Sequence, residues 1–135
     1  MSNSSNSYIA VIDDESSLCT SLSRLLRLAN FQPITYPSAE AFLADEKQPR
    51  FDCLLLDIRL GGMSGLDLFR HLSTKAKQPP VIFITAFDDP EMKAQAEALG
   101  CAGYFRKSTP GTEIIAAVRI AANTSGIRDE SRTSQ

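Results

Sequence analysis

Phe51-Asp52-Cys53-Leu54-Leu55-Leu56-Asp57 is the stretch on which the fold turns. Phe51 to Leu56 is nearly all apolar, and the run stops on a carboxylate. A strand with one face in water alternates polar and apolar residues. This one does not, so it reads as a strand buried on both faces, as in a parallel sheet covered by helices. Similar short runs flank it. Tyr8-Ile9-Ala10-Val11-Ile12 stops on Asp13-Asp14, and Val81-Ile82-Phe83-Ile84 stops on Thr85. Phe31 to Tyr36 reads as a further strand, with Pro33 placing it at a sheet edge. Ala102 to Phe105 makes the fifth and ends at Arg106-Lys107.

Between these runs the apolar period changes. Leu18, Leu22, Leu25, Leu26 and Ala29 recur at helical spacing, with Asn30 as a stop. Ser38 caps a short helix carrying Ala39, Phe42 and Leu43. After the Gly61-Gly62-Met63 loop, Ser64-x-x-Asp67 resembles a capping box for a helix holding Leu66, Phe69 and Leu72. Asp89-Pro90 and Thr109-Pro110 each pair a cap with a first-turn proline. The first opens a helix that closes near Gly100. The second opens a helix carrying Ile114, Ile115, Val118 and Ala122. Five strand–helix units in strict alternation predict an α/β fold with helices on both faces of a parallel sheet. Right-handed crossovers leave few topologies. The order 2-1-3-4-5 fits best, because strands 1 and 3 are the most uniformly apolar. The expected domain is residues 8–123, after a disordered N-terminus (1–7) and before a polar, frayed C-terminal tail (124–135).

Composition narrows the function. The chain has 135 residues, 43% hydrophobic and 22% charged, a balance for one globular domain. Its net charge is -2 and no Lys/Arg cluster exceeds two neighbours, so no basic stripe for nucleic acid is legible. No apolar run approaches the ~20 residues that span a bilayer. The start has neither a basic end nor an apolar stretch, so no signal peptide is read and a cytoplasmic location is expected. Cys19, Cys53 and Cys101 form no C-x-x-C pair and read as small buried hydrophobes. His71 reads as a solvated helix residue.

Ligands of such sheets bind beyond the carboxyl ends of the strands. Strand 1 ends there with Asp13 and Asp14, strand 3 with Asp57, strand 4 with Thr85 and strand 5 with Lys107. Singly, each has a plain reading: an Asp as a helix cap, a Thr as a strand end, a Lys in solvent. Together they make one cleft. Two carboxylates ~4 Å apart repel by about 4 kcal/mol at an effective dielectric near 20. A cation or protons must relieve a cluster of three. Hard oxygen ligands with an open shell suit Mg²⁺ and a phosphate co-ligand. An Asp carboxylate there can attack phosphorus. Lys107 would balance the charge of the transferring group.

At this point the chain resembles a response-regulator receiver domain of two-component signalling. The resemblance covers about residues 8 to 123. It rests on Val11-Ile12-Asp13-Asp14-Glu15, Leu55-Leu56-Asp57-Ile58-Arg59-Leu60, Gly62-Met63-Ser64-Gly65, Ile84-Thr85-Ala86 and Phe105-Arg106-Lys107. Tyr36-Pro37-Ser38-Ala39-Glu40 through Phe42-Leu43 is similar to receivers of the nitrogen-fixation regulator type, which a LuxR-type DNA-binding domain usually follows. The resemblance implies a flavodoxin-like fold. It implies that Asp57 accepts a phosphoryl group from a histidine kinase. Mg²⁺ would be held by Asp14 directly, Asp13 mainly through water, Asp57, and the backbone carbonyl of Arg59. Thr85 would hydrogen-bond the phosphoryl group, Lys107 would pair with it, and Tyr104 would be the aromatic switch. The face of helix 4, strand 5 and helix 5 would change, with a homodimer as one candidate output.

Two departures from the family pattern stand out. Gly61 replaces the usual proline four residues after the acceptor, which predicts a looser loop. Ser108 replaces the usual cis proline after the lysine. A non-proline cis bond costs about 3–4 kcal/mol, so a trans Lys107–Ser108 bond and a shifted loop are expected. The two positions that influence attack by water hold Arg59 and Phe87. Neither orients water well, which predicts slow self-dephosphorylation. A receiver-like interaction module that is not phosphorylated is the main alternative. A Mg²⁺-dependent phosphohydrolase needs an acid where Arg59 stands, and a flavin site would have to hold phosphate against Asp13-Asp14-Glu15.

Overall fold

Five strands and five helices alternate along the chain: β1 (Tyr8–Ile12), α1 (Ser16–Leu28), β2 (Gln32–Tyr36), α2 (Ala39–Ala44), β3 (Phe51–Asp57), α3 (Gly65–Leu72), β4 (Val81–Thr85), α4 (Pro90–Ala98), β5 (Gly103–Arg106) and α5 (Gly111–Thr133). This computed structural model describes residues 7–75 and 77–133, with side chains described as far as Thr124. The predicted disordered start, residues 1–7, lies outside the described residues except for Ser7. The strands form one parallel sheet in the order β2-β1-β3-β4-β5, as the sequence predicts.

The three inner strands alternate between two cores. Ile9, Val11, Cys53, Leu55, Ile82 and Ile84 pack with Leu22 and Leu26 of α1 and with Ile114 and Val118 of α5. Ala10, Ile12, Leu54, Leu56, Val81 and Phe83 pack with Phe42 of α2, Leu68 and Phe69 of α3 and Ala96 of α4. This is why β1, β3 and β4 carry no polar alternation: both faces are interior. β2 differs. Gln32 N–H donates to Ser7 and Tyr36 C=O accepts from Asp13, so residues 32, 34 and 36 face β1. Residues 33, 35 and 37 therefore face outward. Two of them are proline, which leaves Thr35 as the outward N–H donor.

Local signals set most of the helix ends. Ser38 Oγ accepts from Ala41 N–H, and Ser64 Oγ from Asp67 N–H, each at 3.0 Å. Asp89 Oδ1 accepts from Glu91 and Met92 at the start of α4, with Pro90 as its first residue. Asn30 and Gly100 have positive φ just past α1 and α4, the left-handed conformation that ends a helix. Two boundaries depart from expectation. α5 begins at Gly111, with Pro110 supplying the first helical carbonyl to Glu113, one residue later than the Thr109–Pro110 signal predicts. It also continues to Thr133, so most of the predicted polar tail is helical backbone. No proline interrupts it, and extending a formed helix needs no new nucleus.

Candidate functional site

The ladders of the sheet extend just past the strands and carry the site residues with them. Asp13 N–H donates to Tyr36 C=O at 3.1 Å, and Lys107 N–H donates to Thr85 C=O at 2.7 Å. The two buried carboxylates are then fixed by one local device. Asp13 Oδ1 accepts from Glu15 N–H at 2.8 Å, and Asp57 Oδ1 accepts from Arg59 N–H at 3.0 Å. Each is an Asp whose side chain bonds the backbone two residues on, which stops the strand and aims the carboxylate. Gly65, the first residue of α3, packs against the backbone of Asp57 and Ile58. A Cβ there would stand 2.0 Å from the Asp57 carbonyl oxygen, so the helix approaches the Asp57 backbone this closely only as glycine.

Lys107 ties the cleft together. Its Nζ lies 3.2 Å from Asp57 Oδ2, 3.2 Å from Asp13 Oδ1 and 3.2 Å from Glu15 Oε1. Asp13 and Asp57 are buried, at 1% and 4% exposure, while Asp14 is exposed. Burial pushes both buried carboxyls above the ordinary aspartate range; the Glu15 and Arg59 N–H groups and the Lys107 ammonium pull the other way without cancelling it. Burial also works against the Lys107 charge, but Asp13 and Asp57 outweigh it and raise the lysine. One ammonium thus faces more negative charge than it neutralises.

The donor set fits a hard divalent cation. Asp13, Asp14 and Asp57 each offer an oxygen within 4.8 Å of the others. Asp13 Oδ2 is buried and accepts no hydrogen bond, although Lys107 Nζ stands 3.1 Å away. That oxygen keeps lone pairs that a metal cation can take. Exposed Asp14 leaves the solvent side open, which suits a Mg²⁺ that retains waters.

The other predicted residues lie at the rim. Thr85 is buried, and its hydroxyl accepts from Phe87 N–H at 3.1 Å rather than meeting the acids. Tyr104 is half-buried against Phe83, ring centroids 6.2 Å apart, and its buried hydroxyl has no hydrogen-bond partner. Burial raises that phenol, and the Asp89 and Asp88 charges add to it. The Lys107–Ser108 bond is trans, since the described residues hold no cis peptide. Phe87 is 56% exposed and lies under the Arg59 guanidinium, 4.8 Å from Cζ to ring centroid. Sequence reasoning missed Glu15 as a Lys107 partner. The signal was the third acid of Asp13-Asp14-Glu15. It also left Gly65 unexplained.

Comparison with known proteins agrees with this geometry. The response regulator receiver domain family matches residues 9–119. The response regulator protein TmoT of Ectopseudomonas mendocina is 35% identical over 119 residues, covering 88% of this chain and 54% of TmoT. The transcriptional regulatory protein FixJ of Azorhizobium caulinodans is 32% identical, covering 87% of this chain and 56% of FixJ. The chain therefore spans about half the length of the curated relatives it matches. The crystal structure of FixJ-N superposes with a TM-score of 0.79 at 32% identity, covering 91% of this chain and 96% of that one.

Proposed function

Because this chain belongs to the response regulator receiver domain family and is a signalling receiver rather than a classical enzyme, we propose that Asp57 is its phosphoacceptor, charged by a histidine kinase. The observation that carries this is the convergence of Asp13, Asp14 and Lys107 on Asp57. A carboxylate oxygen of Asp57 attacks the phosphorus of a phosphohistidine. The new O–P bond forms as the P–N bond breaks, and the imidazole leaves with the bonding pair. Burial raises the basicity of Asp57, which favours attack, and Lys107 opposes that rise. Asp13, Asp14, Asp57 and the Arg59 carbonyl are the residues to hold Mg²⁺, which supplies charge neutralisation at the transferring oxygens.

In the product, Lys107 pairs with the phosphoryl group. Thr85 must leave Phe87 to reach it, and Tyr104 is placed to respond. The receiver module is assigned to residues 8–123. Output passes through the face of α4, β5 and α5, to a second copy or to a further domain of a transcriptional regulator. No described helix is long and apolar enough to cross a membrane; the cytoplasmic location is part of the proposal. Arg59 and Phe87 flank the acceptor without a water-orienting acid or amide, so the phosphorylated form is expected to persist well beyond seconds at neutral pH.

Acetyl phosphate with Mg²⁺, followed by intact mass, tests the reading. Wild type should gain one phosphoryl group and Asp57→Asn none. No gain by wild type at any donor concentration selects the non-phosphorylated interaction module instead.

A further inference from the structure

Helix α4 is held to the fold by few buried side chains. Of its nine residues Ala96 alone is fully buried. Polar contacts hold its N-terminus. Asp89 uses Oδ1 to cap the helix, accepting from Glu91 and Met92 N–H at 3.2 Å each. Its other oxygen, Oδ2, accepts from Arg59 Nη2 at 3.3 Å. The same guanidinium covers the Phe87 ring, and the Phe87 backbone holds the Thr85 hydroxyl. At its other end, Arg59 donates its backbone N–H to Asp57. One arginine thus links the end of β3, the loop after β4 and the cap of α4.

We propose that the Arg59 side chain couples the state of Asp57 to the N-terminus of α4, by exchanging the Asp89 carboxylate for a phosphoryl group on Asp57. The inference rests on the phosphoacceptor reading above. Three physical points favour the exchange. First, the Arg59–Asp89 pair is weak: its side chains are 51% and 31% exposed, and exposed pairs contribute little. Second, a phosphoryl group brings ≈ −1.5 to −2 charges and three acceptor oxygens, against one charge on Asp89. Planar guanidinium binds such a group bidentately. Third, the backbone of Arg59 already touches the Asp57 carboxylate, so a side-chain rotation suffices. Lys107 is already shared among three carboxylates, which leaves room for a second cation. Loss of Arg59 leaves Asp89 as a cap but unties α4 from β3.

The test uses the full chain with Mg²⁺. Intact mass after acetyl phosphate first establishes phosphorylation, and beryllium fluoride then holds the phosphorylated-like state for spectroscopy. In wild type the Arg59 Nε resonance should shift, and amide exchange at Glu91 to Lys93 should rise about threefold, the scale of losing one exposed ion pair. Asp89→Asn keeps a capping side chain and removes the charge. Its exchange should be raised before phosphorylation and change little after it. Asp89→Asn lies outside the metal and acceptor residues and should still take up phosphate by mass. An unmoved Nε resonance in phosphorylated wild type, or a rise in α4 exchange on phosphorylation of Asp89→Asn equal to that of wild type, overturns the coupling alone. No mass gain in wild type brings down the phosphoacceptor reading and the coupling with it.

Discussion

Lys107 shows how much of the cleft a single side chain holds. Three carboxylates lie within 3.2 Å of its Nζ, two of them buried. Lys107→Ala leaves Asp13 and Asp57 facing each other without a cation. Breaking a fully buried pair costs ~3–5 kcal/mol; with Lys107 itself 16% exposed, we expect roughly 2 kcal/mol less stability in metal-free buffer. Millimolar Mg²⁺ should recover most of it, because the metal substitutes for the lost charge. Urea unfolding with and without Mg²⁺ measures both, and equal losses in the two buffers would refute the argument. Asp13, Asp14, Asp57 and Lys107 were legible in sequence because each ends an apolar run, and parallel topology puts every such end on one edge. Arg59 with Asp89 was not legible. The pair spans 30 positions and depends on rotamers that no periodicity encodes.

At the scale of elements, the loop from β3 to α3 separates two adjacent glycines. Sequence reading assigned looseness to Gly61, for want of proline. The structure assigns the conformational demand to Gly62, which has φ +74 and would place a Cβ 2.5 Å from Glu40 Oε2. Gly61 has open space around its Cβ position. Gly62→Ala should therefore cost about 1–2 kcal/mol, the penalty of the left-handed region. Gly61→Ala should be neutral or stabilise by up to about 1 kcal/mol through the unfolded chain. Thermal midpoints of the two variants decide, and a reversed order would show the loop to be misread. Glu40 itself braces the loop, accepting from Met63 N–H at 2.8 Å, and that bond lowers its carboxyl. A lowered folded value means the contribution is present above the ordinary glutamate range and lost as pH falls through the folded value. The Met63 amide resonance should move in acid, below about pH 4.3. In Glu40→Gln it should stay still over that range. This brace reaches from α2 across 23 positions, and neither segment hints at the other.

At the scale of the whole molecule, strand order was readable because burial differs between strands. β1, β3 and β4 are apolar on both faces and must lie inside, while β2 carries a proline and must lie at an edge. The end of α5 was not readable, since nothing in a polar sequence without proline marks where the backbone stops being helical. The β2 edge has a further consequence. Its outward positions are 33, 35 and 37, and Pro33 and Pro37 remove two of the N–H groups that another strand would pair with. Sheet edges left with free donors and acceptors recruit other chains. Pro33→Thr should leave the fold intact, because that residue makes no ladder bond to β1, yet restore a donor beside Thr35. We expect unchanged circular dichroism together with concentration-dependent self-association, measured by light scattering across a dilution series. A variant that stays as monodisperse as wild type at every concentration would show that the prolines do not guard this edge.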